Sequence, residues 1–219
     1  MVKIAPSLMC ADLLNMEKEI VILEKAGMDI FHLDMMDGHF VPNLSFSFDM
    51  IRSIRGITEK PLDVHLMVMN PEDYFRKLAD LGVDRVSFHG ESANTPIRFI
   101  REIKERGMKA GVALNPATTV DTLEYIVDAL DFVHLMGVEP GFAGQSFLPA
   151  TLDKIQRLSA LRQKKSLSFE IEIDGGIDWD NGKTCASAGA DIIIAGALCV
   201  FDGTAGLYDS CTRFRSILN

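Results

Sequence analysis

The chain lacks most of what would tie it to a membrane, a nucleic acid or an oxidising compartment. Its 219 residues hold four cysteines, Cys10, Cys185, Cys199 and Cys211, with no Cys-x-x-Cys spacing. All four sit in apolar segments and read as buried, reduced thiols of a cytoplasmic protein. No apolar run reaches the roughly 20 residues of a membrane span, and Met1-Val2-Lys3-Ile4-Ala5-Pro6 reads as a first strand, not a signal peptide. Basic residues are in deficit, 22 Lys and Arg against 31 Asp and Glu, for a formal net charge of -9. That field disfavours nucleic acid or an anionic membrane as partner, so any phosphate on a ligand must be held by local backbone N–H groups. No Gly-x-Gly-x-x-Gly follows the first strand, which removes the main support for an open doubly wound sheet. No Ser/Gly-rich linker or charge tail divides the chain.

What is present is alternation. Strand-like apolar runs near 2–6, 29–35, 61–67, 83–89, 108–114, 131–137, 168–174 and 191–196 are separated by helix-period runs. The helical patterns lie near 12–26, 46–55, 71–81, 95–106, 119–129, 151–164, 180–188 and 204–217. Gly27, Gly82, Gly107 and Gly189 stand where left-handed helix caps belong. The unit Ala-Gly-Met-Asp (26–29), Leu-Gly-Val-Asp (81–84) and Ala-Gly-Ala-Asp (188–191) recurs as helix end, cap and strand start. Eight βα units imply a parallel sheet with right-handed crossovers, and at this length a closed (β/α)8 TIM barrel, one α/β domain over 1–219.

In such barrels the chemistry sits at the C-terminal ends of the strands. Strand parity puts His32, Asp34 and Met36 on one face of the second strand, and His65 with Met67 on one face of the third. The seventh strand ends in Asp174, followed by Gly175 and Gly176. A lone strand histidine is usually a core residue and an Asp before Gly-Gly a turn former; three such tips together point to a site. Two imidazoles and two carboxylates suit one divalent metal per chain, Zn²⁺ first, with Fe²⁺, Mn²⁺ or Co²⁺ as alternatives. Carboxylates on strands two and seven could remove a proton from a carbon α to a carbonyl on one face and return it on the other. Glycine segments after strands six, seven and eight (Gly141-Phe142-Ala143-Gly144, Gly175-Gly176, Gly196-Ala197) suit close backbone approach to a phosphate. Met36, Met67 and Met136 lie at strand tips, where they would form an apolar cap over the ligand oxygens.

Along nearly its whole length the chain resembles the ribulose-phosphate 3-epimerase family. The matching motifs are Ala5-Pro6-Ser7-Leu8, the stretch from His32 to Asn43, His65-Leu66-Met67-Val68, Leu114-Asn115-Pro116, Val138-Glu139-Pro140-Gly141-Phe142 and Asp174-Gly175-Gly176. The resemblance implies a metal-dependent barrel enzyme that inverts carbon 3 of a ketose phosphate, D-ribulose 5-phosphate to D-xylulose 5-phosphate, as a homo-oligomer. It assigns metal binding to His32, Asp34, His65 and Asp174, proton transfer to Asp34 and Asp174, and substrate contact to Ser7 and His65. The family usually has Thr at Gly137, Gly at Ala143, and Ser or Thr at Ala197. Ala143, the stretch 147–154 and the run from Phe169 to Asp174 look more like its D-allulose 6-phosphate 3-epimerase branch. A non-catalytic sugar-phosphate-binding barrel is a further alternative, disfavoured by two opposed bases. The strand Asp34-Met35-Met36-Asp37 has no lysine, which argues against the decarboxylase and aldolase chemistry of some related barrels. One expectation goes beyond the family: Glu172 shares the facing of Asp174 and should meet one or more of Lys3, Arg85 and Lys109 inside the barrel.

Overall fold

Strands buried on both faces belong in a parallel sheet wrapped by helices, and the apolar runs here have that character. The computed structural model describes residues 2–218. Its strands are β1 (Lys3–Pro6), β2 (Phe31–Asp37), β3 (Leu44–Ser45), β4 (Leu62–Met67), β5 (Arg85–His89), β6 (Lys109–Leu114), β7 (Phe132–Met136), β8 (Glu170–Asp174) and β9 (Ile192–Ala195). They lie in the order β1-β9-β8-β7-β6-β5-β4-β2-β3. All pairings are parallel except that of β3, a short antiparallel appendage with Ser45 opposite Met36 at the tip of β2. The sheet curls shut where Ser7 bridges His32 and the Asp29 N–H donates to the Ile4 carbonyl at 3.1 Å. Eight parallel strands so joined make the (β/α)8 barrel. Around it run α1 (Met16–Lys25), α2 (Phe48–Arg55), α3 (Glu72–Asp80), α4 (Pro96–Glu105), α5 (Thr151–Lys165), α6 (Asn181–Ala188) and α7 (Leu207–Leu218).

The helix expected over 119–129 is absent: short 3-10 turns at Val120–Leu123 and Val127–Ala129 connect β6 to β7. Val120, Leu123 and Val127 are buried at helical spacing, which is why the pattern looked helical. Thr118, Thr119, Val120 and Thr122 are β-branched, however, and lose side-chain freedom in an α-helix. The backbone there closes i→i+3 bonds, Glu124 to Asp121 at 3.1 Å and Ile126 to Leu123 at 2.9 Å.

The recurring Gly-x-Asp unit does two jobs at the floor of the barrel. Gly27, Gly82 and Gly189 end their helices at φ of +78°, +74° and +116°, the left-handed region that favours glycine. Each following aspartate then accepts an N–H from the first two residues of a neighbouring strand: Asp29 from Ile4 at 2.9 Å, Asp84 from Leu62 at 2.8 Å and Asp191 from Ile171 at 2.8 Å. Asp131 does the same for Ala110 at 2.8 Å. Every one of these carboxylates also meets a cation: Asp29 meets Arg215, Asp84 meets Arg55, Asp191 meets Arg162 and Asp131 meets Lys104.

Above that floor the barrel interior is split. Ala5, Ile30, Ile192 and Ile194 fill one side with hydrocarbon. On the other, the buried Arg85 guanidinium stands 3.2 Å from Asp63, 3.2 Å from Glu172 and 2.7 Å from Glu170, and lies 4.0 Å over the Phe132 ring. Glu172 is fully buried and turned inward, and Arg85 is its cation. Lys3 reaches Glu170 instead, at 2.5 Å. Lys109 is exposed: as the first residue of β6 at the open floor, its long stem can carry the ammonium to water.

Candidate active site

The same parity that buries Glu172 brings the predicted site residues to the opposite end. Asp34 on β2 pairs in register with His65 on β4, and His134 on β7 with Glu172 on β8, one step below Met136 and Asp174. Ser7, at the end of β1, donates its hydroxyl to Asp34 Oδ2 at 2.6 Å and so fixes that carboxylate. Asp34 Oδ1 lies 3.3 Å from both His32 Nε2 and His65 Nδ1. Asp174 Oδ2 lies 3.9 Å from His65 Nδ1 and 3.7 Å from His134 Nε2. The three imidazoles are fully buried, whereas 14% of the Asp174 side chain reaches solvent.

Outer partners orient these rings. His32 Nδ1 meets Asp63 Oδ2 at 2.8 Å, which turns Nε2 toward the site. His65 Nε2 meets His89 Nε2 at 2.8 Å, and His89 Nδ1 is 3.3 Å from the Glu91 carboxylate. A carboxylate only accepts, so His89 donates from Nδ1 and accepts at Nε2. His65 must then carry its proton on Nε2, leaving Nδ1 a free lone pair facing Asp34 and Asp174. Carboxylate-backed imidazoles of this kind are the usual outer support of metal ligands.

Burial opposes the Asp34 carboxylate, yet His32 holds it well below the usual range. Burial likewise opposes a charged His32, but Asp34 and then Asp63 lift it well above normal. His65 is pushed well down by burial and by His134. His134 is raised against its burial, to about 9, by Asp174 and Glu172. The Cys10 thiol is pushed up to about 12 by burial and by the two aspartates, so it lines the site uncharged.

Above the donors opens a small cavity. Ser7, Asp34, Asp174 and the three methionines Met36, Met67 and Met136 form its base and walls. Gly141, Phe142, Ala143 and Gly144 close one side, with Gly175, Gly176, Gly196 and Ala197 beside them. His32 and His65 do not line the cavity; they lie beneath it. A Cβ at Gly176 would sit 2.5 Å from the Phe147 nitrogen, so only glycine lets these loops meet. A Cβ at Gly137 would come within 2.4 Å of the Gly175 carbonyl, which explains why no threonine stands there. Asn43 donates to the Gly141 carbonyl at 2.8 Å, and Asp37 accepts from His39, Phe40 and Met69, so the motif from Asp37 to Asn43 is a brace for the cavity rim.

The arrangement also contains residues that the sequence reading did not name as part of the site: His134, His89, Asp63, Glu91 and Cys10. Parity offered a signal for two of them, since Asp63 precedes His65 by two residues and His134 precedes Met136 by two. One donor atom from each of His32, His65, His134 and Asp174 lies within 4.8 Å of the others. Among the described residues, His32 Nε2 and both His134 nitrogens are buried without a hydrogen-bond partner. Buried polar atoms are rarely left so, and a nitrogen-rich pocket with a carboxylate is the chemistry of a divalent transition metal. The donors present therefore fit such an ion.

A (β/α)8 barrel with carboxylates and imidazoles gathered at its C-terminal mouth, under a glycine-lined cavity, defines an acid–base enzyme for a small substrate. A family model described as the ribulose-phosphate 3 epimerase family matches residues 3–201. Ribulose-phosphate 3-epimerase of Bacillus subtilis (strain 168) is 42% identical over 198 residues, 90% of this chain and 91% of that one. The enzyme of the same name from Escherichia coli (strain K12) is 40% identical over 201 residues, covering 91% and 88%. The fold is also that of KGPDC from Streptococcus mutans, at a TM-score of 0.76 and 14% identity over 99% of this chain and 97% of that one. The chain belongs to the ribulose-phosphate 3-epimerase family and is an epimerase.

Proposed function

We propose that the chain inverts carbon 3 of D-ribulose 5-phosphate to give D-xylulose 5-phosphate, with Asp34 and Asp174 as the two proton-transfer groups. The observation that carries this reading is the pair of carboxylates opening into one cavity from β2 and β8, with β1 and β9 between them on that side. Asp34, kept ionised by His32 and aligned by Ser7, is positioned to take the carbon-3 proton on one face. Asp174, partly open to solvent, is positioned to return a proton on the other. Acid–base transfer alone is worth about 10²–10⁴-fold, short of what enzymes achieve. His32, His65 and Asp174 with Asp34 would hold a divalent ion, which when bound would supply the remaining stabilisation of negative charge on the substrate oxygens; we assign Zn²⁺, with Fe²⁺, Mn²⁺ or Co²⁺ as alternatives. Met36, Met67 and Met136 keep water from the reacting carbon. The backbone of Gly144, Gly176, Gly196 and Ala197 is suited to hold the phosphate, unaided by a hydroxyl at position 197. The free cysteines fit a cytoplasmic setting.

Ala143 and the stretch 147–154 favour a second substrate, D-allulose 6-phosphate, converted to D-fructose 6-phosphate by the same chemistry. Proton NMR in D₂O of metal-replete protein with each ketose phosphate decides between them. Deuterium entry at carbon 3 with epimer formation, faster on the pentose, is the expected result. Faster turnover of the hexose would assign the second substrate, and no exchange on either would overturn the two-base reading.

A further inference from the structure

His134 is a residue of the site that the proposed reaction does not use. It sits in the middle of β7, fully buried, in a strand whose other inward residues are Phe132 and Met136. Its ring is stacked 5.5 Å from that of His32 and lies 4.2 Å from that of His65. Nε2 is 3.7 Å from Asp174 and Nδ1 is 3.9 Å from Glu172, both beyond a good hydrogen bond. Neither nitrogen has a hydrogen-bond partner among the described residues. A methionine or leucine would fill this position without that cost, so the imidazole must serve another purpose.

The neighbouring atoms suggest which. The three imidazoles and Asp174 each offer a donor atom within 4.8 Å of the rest. A four-coordinate ion with bonds of about 2.0–2.2 Å needs donors about 3.3–3.6 Å apart. The separations of 3.7 and 3.9 Å from Asp174 close to that by side-chain shifts of a few tenths of an ångström. Two of the rings already have their far nitrogens anchored, His32 on Asp63 and His65 on His89.

We infer that His134 is a third imidazole donor to the divalent ion of this site, joining His32, His65 and Asp174. The inference rests on the metal-assisted reading above and adds a ligand that neither the motifs nor the resemblance assigned. Three nitrogens and one carboxylate oxygen favour Zn²⁺, Co²⁺ or Fe²⁺ over Mn²⁺, which prefers oxygen donors.

The test is made on full-length protein reconstituted with Co²⁺ and, in parallel, Mn²⁺. His134→Leu and His134→Asn should each weaken Co²⁺ binding at least about ten-fold in a competition titration and alter the visible Co²⁺ absorption. Mn²⁺ affinity should fall less. Unchanged Co²⁺ affinity and spectrum in both variants would overturn the assignment. Pulsed EPR of the Cu²⁺-loaded wild type, which needs no variant to fold, should count three coordinated imidazoles; a count of two would overturn it as well. Carbon-3 exchange by the wild type is scored separately. An inactive wild type with three imidazoles would sink the epimerase reading and leave the ligand standing. An active one with two would do the reverse.

Discussion

Two buried polar layers lie one above the other in this barrel, and they are finished differently. In the lower layer each charge has an opposite charge within hydrogen-bond distance: Arg85 with Asp63, Glu170 and Glu172, and Lys3 with Glu170. In the upper layer Asp34 and Asp174 face three imidazoles of which three nitrogens have no hydrogen-bond partner among the described residues. Where the layers touch, Glu172 Oε1 is also unpartnered, 3.7 Å from His32 Nδ1. Each unsatisfied buried group costs about 1–3 kcal/mol, so the upper layer lowers the stability of the metal-free fold. One layer is arranged to keep the strands in place, the other to receive something. The lower one resembles the floor, where Asp29, Asp84, Asp131 and Asp191 are saturated by backbone N–H groups and cations.

The contrast is sharpest under substitution of its carboxylates. We expect Asp174→Asn to cut the carbon-3 exchange rate by roughly 10²–10⁴-fold or more while leaving the melting temperature of the metal-free protein close to wild type. Calorimetry alongside the exchange assay checks both halves. A variant that keeps its activity, or that loses it only by unfolding, would erase the distinction between the layers.

Arg85→Met should do the opposite. Removing the guanidinium leaves Asp63 and Glu172 buried without their cation, and breaking a buried ion pair from one side costs about 3–5 kcal/mol. Burial and then Asp63 already push the Glu172 carboxyl up, and losing Arg85 should push it further. Denaturant unfolding of the variant should show that loss, with residual activity in proportion to the folded fraction. If Arg85→Met proved as stable as wild type, the lower layer would be dispensable and its pairing incidental.

How far the chain discloses these layers follows from what each depends on. Strand parity alone orders Glu172 below Asp174 and Asp34 above His32, because facing repeats every second residue whatever the surroundings. That is why the barrel, its inward Glu172 and its partner Arg85 were legible. Which carboxylate a cation chooses depends on reach across the barrel, so Lys3 went to Glu170 and Lys109 to solvent. His134 obeys the same parity, yet a single imidazole in an apolar strand carries no sign of its neighbours; its meaning appears only when β2, β4, β7 and β8 converge. The connection 119–129 hid for the converse reason: its burial repeats like a helix, but its β-branched residues prefer tighter turns.

The smallest effect concerns the hydrogen-bonded line that leaves the upper layer for the surface, His65 to His89 to Glu91. Although partial burial opposes it, the Glu91 carboxyl is lowered to about 2 by His89, by the Thr118 hydroxyl and by the Asn115 N–H. Its folded value lies below the ordinary 4.5, so the stabilisation is fully present above pH 4.5 and drains away as pH falls toward 2. The full shift would correspond to about 3 kcal/mol; with 23% of the side chain in solvent, about 1–2 kcal/mol is the realistic share. Glu91→Gln keeps an acceptor for Asn115 but discards the charge. Its stability deficit relative to wild type should therefore be about 1–2 kcal/mol at pH 6 and shrink between pH 4.5 and 2. Urea titrations of both proteins across that range measure it. A deficit that stays constant with pH would mean that Glu91 acts only as a hydrogen-bond acceptor, and that the ordered charge of the upper layer ends at His65.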